Sequence, residues 1–158
     1  AYPDDYRRGQ ATGRIRWHNH TDDHSDLTPF TKNGVIDHVI PQSNALRSVL
    51  RRPIEELTLG TPYGAGTLPG QRDTEIVAAA KQLKLGLDMW NKDTMGWNGA
   101  SVEEAIDNLL PLKPGDRAIF HFTPVDRAAF KAWAKEARRL GYSIEPVSTI
   151  PHSNGMGL

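Results

Sequence analysis

The feature that most constrains the fold is a regular alternation of strand-like and helix-like segments from about residue 57 onward. Short apolar runs, bounded by glycine, proline or polar residues, predict strands at 57–60, 85–90, 117–122 and 142–148. Between them, apolar residues at helical spacing predict helices at 73–84, 102–112 and 124–141. This order is typical of a parallel sheet with helices packed outside it. We therefore expect an α/β fold.

The first third of the chain is less regular. Residues 13–17 can form a strand. Residues 33–52 have helical periodicity on both sides of Pro41, which should kink or split the helix because proline lacks the amide hydrogen that the helix needs. The sequence has no internal repeat and no long linker, and 158 residues suit one hydrophobic core. We expect a single domain over residues 1–158.

The composition excludes several functional classes. The chain has 19 basic and 19 acidic residues, so nothing favours binding to nucleic acid or to an anionic membrane. No apolar run approaches the roughly 18–20 residues that a membrane span needs. The absence of cysteine excludes disulfides and thiolate metal sites. The chain starts at Ala1 without a methionine, as a mature secreted protein or a shortened chain would.

Residues 17–27, called the histidine loop here, have the sequence WHNHTDDHSDL, with three histidines and three aspartates. His20 and His24 are four residues apart, so on one helical turn both imidazoles would face the same side. His18 and His20 would share a face in an extended segment. Imidazoles with nearby carboxylates suit zinc, cobalt or nickel better than calcium or magnesium. The alternative is a polar loop whose histidines bond to the backbone.

Three further polar loops also follow predicted strands, at 61–64, 91–97 and 121–124. Functional sites of parallel α/β folds lie at the carboxyl ends of the strands. We therefore expect these loops and the histidine loop to meet at one rim. This convergence favours the metal interpretation of His20 and His24.

Four segments in order along the chain carry a family resemblance: HTDDHSDL (20–27), LGTPYG (59–64), MWNKDTMGWNGAS (89–101) and PGDRAIFHF (114–122). They resemble, in turn, the His-Ser/Thr-x-x-His, Arg-Pro-Pro-Tyr-Gly and Trp-x-x-Asp-x-x-Asp-Trp segments of the polysaccharide deacetylases (NodB-type carbohydrate esterases), and the strand that ends in the last histidine of that family. The order and spacings fit from His20 to about Val147, which is most of the chain.

The resemblance implies a distorted, incomplete (β/α) barrel with parallel strands and outer helices. It implies a secreted or cell-envelope hydrolase that removes N- or O-acetyl groups from an acetylated polysaccharide or oligosaccharide of the chitin, xylan or peptidoglycan type. The implied cofactor is a divalent metal, zinc with cobalt or nickel as alternatives, held by His20 and His24. His121 would be the general acid, Tyr63 would offer its backbone N–H to the oxyanion, and Trp97 would form a wall of the acetyl pocket.

The start of the chain departs from the family pattern. The family begins with a strand that supplies the catalytic base and the third metal ligand, a carboxylate. Here only YPDDY (2–6) offers paired aspartates, which would make Asp4 the base and Asp5 the third ligand. Both could instead be ordinary acids at the end of a chain. Asp22 and Asp23 are the alternative ligand or base.

Two glycines also depart from the pattern. The arginine that orients the base in the family falls on Gly60, and the aspartate that supports the acid histidine falls on Gly96, whereas Asp93 matches the earlier aspartate of that segment. Loss of orienting partners weakens a catalytic group. The alternative to an active enzyme is therefore a lapsed deacetylase-like domain that binds metal or glycan without turnover. Another chain or a second copy could also supply the missing first strand.

Overall fold

The computed structural model describes residues 3–13, 15, 17–51, 58–67 and 72–145, and its strands are short and parallel. The chain divides into two compact units, one with the described residues up to Met89 and the other with those from Trp90 onward. Among the described residues, each unit has one pair of parallel strands whose connection contains an α-helix, which confirms the expected mixture of helices and parallel strands. A single domain over residues 1–158 stays a prediction.

The described part of the first unit comprises α1 (Pro3–Ala11), α2 (Lys32–Leu50), β1 (Thr58–Gly60), α3 (Thr74–Leu83) and β2 (Gly86–Asp88). Strands β1 and β2 pair in parallel, with Leu59 opposite Leu87 and Gly60 opposite Asp88. A short 3-10 helix, Pro62–Gly64, follows β1 directly. The loop after β1 therefore starts at the carboxyl end of the strand pair, where the sequence places a functional loop.

The core of this unit forms where the apolar faces of α2 and α3 meet β1. Helix α3 begins where the Asp73 side chain accepts the backbone N–H groups of Glu75 and Ile76, and it ends at Lys84 in the left-handed conformation. These caps confirm the helix predicted at 73–84. Burial of the apolar side chains holds the layers together; the buried cluster is Leu27, Val35, Ile36, Val39, Leu59, Ile76, Ala79, Ala80 and Leu85.

Helix α2 is continuous through Pro41, so the prediction that this proline splits the helix is wrong. Pro41 is exposed, whereas Val35, Ile36 and Val39 on the opposite face are buried in the core. The burial of that face outweighs the one backbone hydrogen bond that proline removes, because tertiary packing supplies most of a helix's stability.

The described part of the second unit comprises β3 (Lys92–Asp93), α4 (Val102–Leu109), β4 (Ala118–Ile119) and α5 (Pro124–Arg139). Strands β3 and β4 pair in parallel, with Asp93 opposite Ile119. Helix α4 begins with a capping box, in which the Ser101 hydroxyl and the Glu104 carboxylate each accept the other residue's backbone N–H. Ala105, Leu109 and Ala129 form the buried core between α4 and α5.

The strands differ from the sequence predictions in length and place. The strand predicted at 85–90 covers only Gly86–Asp88, and β3 lies in a segment predicted to be a loop. Residues 142–145 of the last predicted strand are not extended in a sheet, and residues 146–148 lie outside the described residues. At 13–17, the described residues are not in a strand either. The described strands form two separate pairs, so a barrel stays a prediction.

Residues Pro3–Ala11 form a helix, whereas the family segment that carries the paired aspartates is a strand. Asp4 and Asp5 lie in the first turn of α1, where carboxylates interact favourably with the helix dipole. Within the described residues, none of the helices is both long and apolar enough to cross a membrane.

Candidate functional site

The histidine loop continues the parallel pairing of the first unit. The Asn19 backbone N–H donates to the Thr58 carbonyl, and the Gly60 N–H donates to the Asn19 carbonyl, so residue 19 lies beside Leu59 like a one-residue strand. The Asn19 side chain is 1% exposed; it donates to the Val39 carbonyl and the Ser43 hydroxyl of α2 and accepts the Thr21 N–H. Asn19, which the sequence did not single out, anchors the loop from which His20 projects.

His20 is held from two directions. Its backbone N–H donates to Gln42 Oε1 at 2.7 Å, and its Nδ1 lies 2.8 Å from the Gly60 carbonyl oxygen. A carbonyl oxygen only accepts hydrogen bonds, so Nδ1 carries the proton and Nε2 carries the lone pair. Donation of one ring N–H to a backbone carbonyl is the arrangement that orients metal-binding histidines. This geometry is compatible with the role of metal ligand for His20, which stays a prediction.

His24 reaches His20 through a turn that is not helical. Thr21 and His24 both have positive φ, at 65° and 60°, and the His24 N–H donates to the Thr21 hydroxyl. The helical turn expected from the four-residue spacing is therefore wrong. The two imidazoles nevertheless meet edge to face, with ring centroids 4.9 Å apart. The two histidines predicted to act together do lie together.

Tyr63 stands on the other side of His24. Their ring centroids are 4.8 Å apart and the Tyr63 side chain is 65% exposed. Tyr63 has φ of 60° inside the 3-10 helix, a conformation that costs a non-glycine residue roughly 1–2 kcal/mol. The structure brings Tyr63 to the candidate metal ligands, whereas the role of its backbone N–H stays a prediction.

Left-handed residues are concentrated in the loops that the motifs identify. Among the described non-glycine residues with positive φ, Arg51 and Lys84 end helices. The others all lie in motif segments: Thr21, His24, Tyr63 and Met95. Backbone strain of this kind clusters at functional sites, because the surrounding structure must hold it in place.

A second group of potential ligands lies at the edge of the histidine loop. Candidate ligand atoms of Asp22, Asp23 and His38 lie within 4.8 Å of one another, and His38 Nδ1 is 3.2 Å from Asp23 Oδ1. The Ser25 hydroxyl and backbone N–H, followed by His38, lower the pKa of Asp23. The sequence missed His38 because it lies on α2, outside the histidine loop.

Asp4 and Asp5 lie in the first turn of α1, and both are exposed. Their carboxylates pair with Arg7 and Arg8, one turn further along the helix. The hydrogen bond and charge of Arg7 lower the pKa of Asp4. Neither aspartate belongs to the group of mutually close ligand atoms found among the described residues. Their assignment as base and third ligand stays a prediction.

In the second unit, Asp93 and Trp97 share a tight turn. Asp93 Oδ1 accepts the Met95 N–H at 2.8 Å, and Trp97 Nε1 lies 3.4 Å from Asp93 Oδ2. Trp97 is 56% exposed, so its ring face is accessible to a ligand. The structure thus shows Asp93 supporting the turn that presents Trp97, and the acetyl-pocket role of Trp97 stays a prediction.

His121 follows β4 and lies beside a carboxylate that the sequence did not identify. Its Nδ1 is 3.4 Å from Asp126 Oδ2, and the same oxygen accepts the His121 backbone N–H. Asp126 is in the first turn of α5, close enough in sequence for the segment HFTPVD to have suggested the pair. A cleft of about 550 Å³ opens here, lined by Phe120, His121, Phe122, Thr123, Pro124, Asp126, Arg127 and Phe130.

Neither a protein-family model nor a curated protein sequence matches the chain. Solved structures do match. A CE4 family pseudoenzyme from Bacillus anthracis has a TM-score of 0.78 at 15% identity, over 94% of this chain and 50% of that one. A family 4 carbohydrate esterase from Streptomyces lividans, in complex with acetate, has a TM-score of 0.76 at 17% identity, over 94% and 74%. The peptidoglycan deacetylase PdaC from Bacillus subtilis has 0.77 at 18%, over 94% and 69%.

These likenesses show the fold. The chain has the fold of the CE4 polysaccharide deacetylases, so the resemblance drawn from the four motifs is confirmed at that level. The chain spans about half the length of the pseudoenzyme that it matches.

Proposed function

We propose that this chain provides the site of a metal-dependent hydrolase that removes N- or O-acetyl groups from a polysaccharide. The observation that carries the proposal is the meeting of His20 and His24, with His20 oriented by the Gly60 carbonyl. The fold shared with carbohydrate esterases and with a peptidoglycan deacetylase supports the substrate class. A polysaccharide substrate also favours a secreted or cell-envelope location.

The residues present fit a divalent metal. His20 Nε2 has the lone pair and the His24 ring lies beside it. Asp22 and Asp23 belong to the same loop, but among the described residues their carboxylates group with His38 and not with these two imidazoles. Imidazoles with a carboxylate make up the three protein ligands typical of a catalytic zinc, with cobalt or nickel as alternatives. A bound divalent ion would lower the pKa of a coordinated water and polarise the acetyl carbonyl.

The remaining roles belong to the chain's own side chains. A carboxylate accepts a proton from the attacking water; Asp4 is the sequence-based candidate, and Asp22 or Asp23 the rival. His121 gives a proton from its ring to the leaving amine or alcohol as the acetyl carbon–heteroatom bond breaks. The Tyr63 backbone N–H stabilises the oxyanion, and the exposed Trp97 face packs against the acetyl group.

The second candidate function is a lapsed domain that binds metal or glycan without turnover. It is favoured by the glycines at 60 and 96, where the family pattern has charged residues, and by the pseudoenzyme of the same fold. A mutant of that pseudoenzyme with restored enzymatic activity has the same fold as well, with a TM-score of 0.79 at 15% identity, over 94% of this chain and 52% of that one. A partner chain that supplies the missing first strand is a third arrangement, favoured by the helix at Pro3–Ala11, where the family pattern has a strand.

The test is acetate release from acetylated chitooligosaccharide, acetylxylan and peptidoglycan fragments, with zinc, cobalt or nickel added and with a chelator. We expect the metal-loaded chain to release acetate from one of these substrates and the chelated chain to lose that activity. A chain that binds metal and yet leaves every substrate intact supports the lapsed candidate. Equal acetate release after chelation would overturn the metal-dependent mechanism.

A further inference from the structure

The carboxylate next to His121 belongs to Asp126, which is almost completely buried. Asp126 is 1% exposed, and its Oδ2 faces both the His121 backbone N–H and the His121 ring. Its backbone N–H donates to the Thr123 hydroxyl at 3.0 Å, so the α5 N-terminus is already capped without the Asp126 side chain. Among the described residues, His121 is its ion-pair partner. A buried carboxylate is costly unless charge or hydrogen bonds compensate it, and here the imidazole is the group in position to do so.

Gly96 makes room for this carboxylate. An ideal Cβ built on Gly96 would overlap Asp126 Oδ1 and would lie 3.1 Å from Asp126 Cγ and 3.4 Å from Val125 Cγ1. The backbone at Gly96 is not left-handed, so its conformation does not call for glycine. Position 96 therefore calls for glycine for reasons of space alone, because the Asp126 carboxylate occupies the volume that a side chain at residue 96 would fill.

We propose that Asp126 is a positioning residue for His121, and that the absence of a side chain at Gly96 leaves room for the Asp126 carboxylate. The proposal rests on the proposed function of His121 as the general acid. The carboxylate of Asp126, whose Oδ2 lies 3.4 Å from Nδ1, favours the proton on Nδ1 and leaves Nε2 as the atom that exchanges a proton with the leaving group. The departure at Gly96 is then a relocation: the supporting carboxylate comes from α5 instead of from the Trp97 turn.

The first test does not require activity. Long-range ¹H–¹⁵N NMR reports which ring nitrogen of neutral His121 carries the proton. We expect the Nδ1–H tautomer in the parent chain and a shift towards the Nε2–H tautomer in Asp126→Ala. Asp107→Ala, which removes an exposed carboxylate from α4, is the matched control and should leave His121 unchanged. A folded Asp126→Ala variant that keeps the parent tautomer overturns the proposal.

The second test moves the carboxylate back. In Gly96→Asp/Asp126→Ala the new carboxylate has the vacated volume, and we expect the Nδ1–H tautomer to return. This variant also decides the matter if Asp126→Ala alone does not fold: a folded double variant with Nδ1–H supports the proposal, and one with Nε2–H contradicts it. Gly96→Asp alone should be less stable than the parent, because its Cβ overlaps Asp126.

Turnover gives a separate readout. Where the parent releases acetate, Asp126→Ala should lower kcat roughly 10–100-fold with KM little changed, and Gly96→Asp/Asp126→Ala should recover most of the loss. An unchanged kcat in Asp126→Ala overturns the positioning role. A parent that releases no acetate refutes the proposed function, and the tautomer measurement still decides whether Asp126 orients His121.

Discussion

At the scale of single residues, the metal assignment depends on His20 and His24. Alanine at both positions removes two nitrogen ligands, so we expect the affinity for zinc to fall by more than about 100-fold, beyond what loss of an orienting partner alone causes. Calorimetric titration with zinc measures this. His38→Ala is the matched control, because it removes an imidazole from the group formed with Asp22 and Asp23. Zinc binding that is lost in His38→Ala and kept in the double variant would place the metal at that group instead.

The third ligand is also a single-residue question. Asp5→Asn should lose zinc and Asp4→Asn should keep zinc but lose activity if the sequence-based assignment holds. The pairing of these two carboxylates with Arg7 and Arg8 argues for the opposite result, in which both variants behave like the parent. Zinc loss in Asp22→Asn or Asp23→Asn would then identify the ligand. The four variants compared by zinc affinity and acetate release separate these cases.

His121 is expected to matter for turnover and not for metal affinity. It projects after β4, whereas the candidate ligands lie in the histidine loop of the other unit. A general acid contributes about 10²–10⁴-fold in rate, so His121→Ala should lose that factor in kcat while its zinc affinity stays at the parent value. Kinetics on the substrate that the parent deacetylates, with zinc titration of the same preparation, measures both. Full activity in His121→Ala would refute the role.

At the scale of secondary-structure elements, the clearest energetic test is the capping box of α4. Ser101→Ala removes a side-chain acceptor from the helix N-terminus and should cost about 1 kcal/mol, or roughly 2–4 °C in Tm for a chain of this size. Thermal unfolding followed by circular dichroism measures the shift. Lys131→Ala, which shortens an exposed side chain of α5, should leave Tm close to the parent value.

The same box should respond to pH. Hydrogen bonds from the Ser101 backbone N–H and hydroxyl lower the pKa of Glu104 below its ordinary 4.5. The stabilisation is therefore present above pH 4.5 and is lost as the pH falls through the lower pKa of the folded state. The Tm difference between the parent and Glu104→Ala should accordingly shrink below that pH. A difference that stays constant down to strongly acidic pH would contradict this.

The elements that the sequence predicts well are those whose signals are local. The apolar spacings of α3 and α4 each lie within one segment, and the structure contains both helices. The errors arise where tertiary contacts decide. Pro41 does not split α2, because the opposite face of the helix is buried in the core. The strands are shorter than their apolar runs, because a strand ends where its partner ends, and the sequence does not contain that register.

The candidate site also has residues that the motifs identified and residues whose role depends on tertiary contacts. Motif order identified His20, His24 and Tyr63, which meet in the structure. The residues that orient the site were not predictable from spacing. Asn19 acts through buried hydrogen bonds to α2, and the Gly60 carbonyl acts through backbone that has no side-chain signal.

At the scale of the whole molecule, solved structures establish the fold but do not establish whether the chain is catalytic. The fold matches both a family 4 carbohydrate esterase and a pseudoenzyme, so architecture by itself does not decide between catalysis and binding. What decides is whether His20 and His24 bind a metal ion and whether His121 donates a proton, and both are open to measurement. The relocated carboxylate of Asp126 argues that the role of His121 is retained in spite of Gly96.

Metal binding should also be visible in the stability of the whole chain. A ligand that binds only the native state stabilises it by RT ln(1 + [L]/Kd), about 2.7 kcal/mol at a hundredfold excess over Kd, which corresponds to roughly 5–10 °C in Tm for a chain of this size. We expect zinc to raise Tm by that amount and a chelator to reverse the rise. Differential scanning calorimetry of the parent beside His20→Ala/His24→Ala measures it. Because the histidine loop is tied to β1 and α2 through Asn19, amide protection should increase there first. An equal rise in the double variant would show that zinc stabilises the chain from somewhere other than these two imidazoles.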